Sequence, residues 1–67
     1  MEVPVKTPGR RVKLERARHG WSQRELADRA GIMRLTIMDV ELDRRLPKVQ
    51  TIYKLASALD IDVEELM

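Results

Sequence analysis

The chain has 67 residues, with 13 bases, 11 acids, no cysteine and a net charge of +2. A chain this short makes one small domain, burying only about 60% of the surface its unfolded form exposes, and the lack of thiols excludes disulfide staples and thiolate metal sites. No apolar run reaches the roughly 18 residues of a membrane span, and MEVPVKTPGRR at the N-terminus lacks the apolar core of a signal peptide, so a soluble, unprocessed cytoplasmic protein is expected.

The charge is unevenly spread. Residues 1–24 carry seven bases and two acids, residues 25–43 two bases and five acids, residues 44–54 four bases and no acid, and residues 55–67 four acids and no base. Two basic zones flanking an acidic centre suit a polyanion partner, although a charge run is also what a solvated face looks like.

Pro4, Pro8 and Gly9 argue against a helix over residues 1–9, which reads as an extended N-terminal arm ending in a turn. Arg10 to His19 suits a helix, with Leu14, Ala17 and the following Trp21 as its apolar stripe and Gly20 as its stop. Trp21 is expected to plug the core between this helix and the next. His19 is expected to act as a cation near the helix's negative end.

Ser22 with Glu25 three residues on is a capping box, and Leu26, Ala27 and Ala30 follow at helical spacing until Gly31. Ile32 is the apolar residue of the turn. Ile37 and Val40 then repeat at i and i+3, so a second helix starting near Met33 lays them on the first, and the whole has helix-turn-helix spacing. After Glu41 the stretch LDRRLPK reads as a basic loop. Val49, Ile52, Leu55, Ala56 and Leu59 share one face of a fourth helix, and Asp62 with Glu65 can cap a short fifth one, VEELM. The expected architecture is an all-α, compact five-helix bundle, with residues 10–67 as its domain.

With these elements placed, the chain resembles the lambda repressor-like, Cro/C1-type (XRE) helix-turn-helix family. The resemblance rests on Arg16, the run GWSQRELADRAGI, the Thr36-Ile37 pair, Glu41, Pro47 and the closing TIYKLASALDIDVEEL. It implies a helix lying in the DNA major groove from about Met33, Gln23 bonding a backbone phosphate with Arg24 beside it in the DNA-binding set, and a structural pair between Arg16 and Glu41. Arg44, Arg45 and Lys48 fall where a phosphate strand would pass, and Lys6, Arg10 and Arg11 are weaker candidates for a neighbouring groove. The resemblance also implies a homodimer on an inverted repeat of double-stranded DNA, and Leu66 and Met67 are candidate residues near its twofold axis.

A helical wheel of about 100° per residue turns Leu35, Met38, Asp39 and Leu42 outward, with Arg34 and Thr36 on the flanks. The family resemblance leads one to expect polar residues there. Leu35 or Met38 can pack on thymine methyls, Asp39 can accept from a cytosine amino group and Arg34 can donate to guanine. The stripe Leu35, Met38, Leu42 also suits a protein-protein interaction module on the same fold, or an engineered reading surface. Against the family pattern, Met33 and Lys48 replace capping Ser or Thr residues, and Asp43 and Asp60 replace glycines expected in the left-handed conformation.

The expected function is therefore that of a sequence-specific transcriptional regulator, a repressor first, encoded by a bacterium, archaeon or phage. No cofactor or metal ligand set is visible, and one histidine without a clustered nucleophile or carboxylate pair argues against an enzyme.

Overall fold

The computed structural model describes residues 7–67, in which four α-helices and a closing 3-10 turn make one bundle: α1 (Pro8–His19), α2 (Gln23–Ala30), α3 (Arg34–Glu41), α4 (Val49–Leu59) and the 3-10 helix Val63–Leu66. Most of the expected arm, Met1 to Lys6, lies outside the described residues.

Its last part is helical, not extended. Thr7 caps α1 by accepting from Arg10 N at 3.1 Å, and Pro8 occupies the first turn, where its missing N–H would have had no partner anyway. Gly9 is buried so closely against the end of α3 that a Cβ there would collide with the Val40 carbonyl oxygen and lie 2.7 Å from Asp43 Oδ1, so the position requires glycine. Thr7 Oγ1 also donates to Asp43 Oδ2 at 3.2 Å. The start of α1 is thus seated on the end of α3.

That docking rotates α1 relative to the stripe read from sequence. Val12 is fully buried, whereas Leu14 is 48% exposed and Ala17 is exposed as well. The buried Glu15 is held by Arg11 Nε at 2.9 Å and Arg18 at 3.1 Å, and Arg11 also pairs with Glu65. Arg11, a weaker candidate for a neighbouring groove, is therefore engaged with two carboxylates of the fold. Trp21 is half-buried and packs on the core from its edge, between the stacked His19 ring at 4.2 Å and the Arg29 guanidinium at 4.4 Å. His19 Nε2 donates to Leu59 O at 2.9 Å, tying the ends of α1 and α4.

The core is Val12, Leu26, Ala27, Ile37, Val40, Ile52, Leu55, Ala56, Leu59 and Leu66. Val49, expected on that face, is 58% exposed, since the first turn of α4 overhangs the core that Ile52 enters. Ser22 and Glu25 form the expected capping box, Gly20 and Gly31 end their helices at φ 72° and 70°, and Asp43 and Asp60 take φ 57° and 58°. Asp62 makes no side-chain cap bond, and the Glu65 side chain that would complete a capping box pairs with Arg11 instead. Leu66 is 2% exposed, so it belongs to the core and is unavailable as a dimer contact; Met67 stays exposed.

Candidate nucleic-acid interface

Glu41 ends α3 with its side chain 3% exposed, and a carboxylate so placed needs compensation. Arg16 supplies it from α1 with a two-pronged contact, Nε to Oε2 at 2.7 Å and a terminal nitrogen to Oε1 at 3.0 Å. The remaining terminal nitrogen of Arg16 donates to Trp21 O at 2.8 Å, and Gln23 Nε2 donates to Glu41 Oε1 at 3.1 Å. The Arg16–Glu41 pair thus joins α1, the turn before α2, the first residue of α2 and the end of α3. The Glu41 hydrogen bond, partly offset by burial, raises the pKa of Arg16 above its ordinary value and keeps the guanidinium charged.

The buried side of α3, Ile37, Val40 and Glu41, is locked by this arrangement, so the orientation of the opposite side is fixed. There Leu35 and Leu42 are each 56% exposed, Met38 is half-buried and Arg34 is exposed at the helix start. Met33 precedes the helix without a side-chain cap and is itself exposed.

Asp39 is withdrawn from this surface. Its side chain is only 16% exposed, with Arg44 3.8 Å from one carboxylate oxygen and Arg45 3.4 Å from the other. The acid expected to face a cytosine instead gathers the two arginines at the C-terminal end of α3. Thr36 is half-buried and lines a cleft of about 330 Å³ with Met33, Arg45, Lys48, Thr51 and Lys54, between the turn before α3 and the start of α4. Thr51 and Lys54, spaced i, i+3 after the basic loop, join this cleft without having stood out in the sequence. Gln23, expected at a phosphate, is engaged with Glu41. Arg24 and Arg10 are exposed.

A capped helix, a left-handed glycine turn and a second helix held at fixed angle by a buried ion pair, with bases at its rim, define a helix-turn-helix protein. Residues 12–66 match the Helix-turn-helix family, and the chain belongs to that family in its XRE branch. It is 34% identical over 56 residues to an uncharacterized HTH-type transcriptional regulator of Archaeoglobus fulgidus, covering 84% of this chain and 80% of that protein. It is also 34% identical over 61 residues to the immunity repressor protein of Bacillus phage phi105, covering 91% of this chain and 42% of the repressor. Among solved structures, the biofilm master regulator SinR in complex with DNA superposes with a TM-score of 0.85 at 31% identity, over 90% of this chain and 97% of that one.

Proposed function

We propose that this chain regulates transcription by binding a specific double-stranded DNA sequence, with α3 in the major groove. The observation that carries the reading is the Glu41 junction, which spends a buried charge on fixing α3 while its opposite face stays exposed beside Arg34, Arg44 and Arg45. Arg34, Leu35 and Met38 face the base edges; Arg44, Arg45 and Lys48 meet phosphates, with Arg24 and Gln23 at the neighbouring strand. Asp39 acts through the two arginines it orients, and Thr36 lines the phosphate side. Gln23 reaches a phosphate by exchanging its Glu41 bond, which leaves both Arg16 bonds to that carboxylate in place.

Two copies on an inverted repeat, occluding a promoter as a cytoplasmic repressor, are the form this takes, and the relationship to a phage immunity repressor supports that direction of regulation. No catalytic role is proposed. Among the described residues no helix is long and apolar enough to cross a membrane, and no group of histidines and carboxylates is arranged to hold a metal ion.

Selection from a random double-stranded pool at moderate salt tests the reading. It is expected to enrich paired half-sites about one helical turn apart; only weak, uniform binding would contradict it. A second reading, an interface for a protein partner, draws on the exposure of Leu35 and Leu42. Replacing Leu35, Met38 and Leu42 with Ser separates the two, because this reading alone predicts loss of the partner with DNA binding unchanged.

A further inference from the structure

The reading face of α3 is short of groups that hydrogen-bond a base. Its acid, Asp39, is 16% exposed and shared between Arg44 and Arg45, and Thr36 turns into the cleft beside α4. Arg34 is left as the polar side chain at the helix start, next to an apolar surface made by Leu35 and Met38, with Leu42 further along. The rim is basic, so the surface that presents these side chains attracts a polyanion and not an acid-depleted apolar protein face.

In the major groove one group on the base edges is apolar, the C5-methyl of a pyrimidine. It occurs in thymine and in 5-methylcytosine. We propose that this chain recognises C5-methyl groups of its site through Leu35 and Met38, and so accepts 5-methylcytosine in place of thymine at those positions. The proposal rests on the major-groove reading of α3 and deepens it. Its consequence is regulatory: cytosine-5 methylation would strengthen sites that already carry the rest of the recognised sequence. Each methyl buried against a side chain accounts for about a fourfold change in affinity, the partition of one methylene-sized group.

The test uses the duplex recovered from the random pool, remade with thymine, uracil, cytosine or 5-methylcytosine at one position at a time, and measured by fluorescence anisotropy. At two or so pyrimidines per half-site, thymine is expected to bind about fourfold tighter than uracil, and 5-methylcytosine tighter than cytosine by a similar factor. Leu35→Ser, at an exposed position, and Leu35→Ser with Met38→Ser are expected to bring both ratios towards one while salt-dependent binding persists. Ratios near one at every pyrimidine overturn the proposal, as do ratios that the Ser variants leave unchanged. Unchanged affinity of those variants for the selected duplex removes the stripe from the DNA contact and overturns the proposal equally. A pool that yields no site overturns the DNA reading itself, an outcome distinct from a recovered site indifferent to methyls.

Discussion

At the scale of single residues, Glu41 and Gly9 do the most to set where α3 points. Removing Arg16 leaves a carboxylate 3% exposed with, among the described residues, only the Gln23 amide against it. Arg16→Ala is therefore expected to cost about 3–5 kcal/mol in urea unfolding, whereas Arg16→Met with Glu41→Met, which removes both charges, should recover most of that loss. Arg16→Lys keeps the charge but not the fork or the Trp21 carbonyl bond, and should fall between the wild type and Arg16→Ala. Gly9 acts by having no side chain. Gly9→Ala drives a methyl into the Val40 carbonyl and is expected to destabilise by about 1–3 kcal/mol, by forcing the two helix ends apart.

At the scale of elements, the ends of α3 and α4 are under-capped, since Met33 and Lys48 make no side-chain cap bond. Met33→Ser is expected to raise stability by about 1 kcal/mol. Lys48→Ser should do the same to stability, yet weaken DNA binding and lower the salt slope by about one unit, so that thermal unfolding and DNA affinity move in opposite directions. Arg44→Ala with Arg45→Ala should lower the slope of log affinity against log salt by about two units. An unchanged slope would remove both arginines from the interface. The elements themselves were legible because helix signals are local: Ser22 and Glu25 cap, Gly31 stops, and Ile37 and Val40 repeat at helical spacing. What was not legible came from contacts distant in sequence. The burial of Gly9 and Val12 in place of Leu14 depends on Val40 and Asp43, and the withdrawal of Asp39 depends on how the loop after α3 folds back. Wheel geometry places a side chain on a face; it does not say that two arginines will cover it.

At the scale of the whole molecule, a small core is held together by side chains that reach across it. Arg11 joins α1 to the closing 3-10 helix through Glu65, and His19 joins the ends of α1 and α4. Because Leu66 is part of that core, self-association has to use other residues, and a concentration-dependent rise in mass by sedimentation, strengthened by the selected duplex, is the expected sign of a dimer on DNA. A monomer throughout, with one half-site bound per chain, would contradict the inverted-repeat arrangement. The position of α3 after the capped helix was legible in the sequence, while the chemistry of its exposed side departs from the polar face the resemblance led one to expect. Fold and surface are thus separable: the Glu41 junction holds the scaffold, and the exposed side of α3 takes no part in it.

The central claim is that α3 is the face that meets DNA. The most direct measurement is a titration of the isotopically labelled 67-residue chain with the selected duplex, followed residue by residue in amide proton–nitrogen spectra. The account predicts the largest changes at Gln23 and Arg24, from Met33 to Met38, and at Arg44, Arg45 and Lys48, with residues at the His19–Leu59 end little affected. Changes concentrated on α4 and the 3-10 helix, with α3 silent, would contradict it.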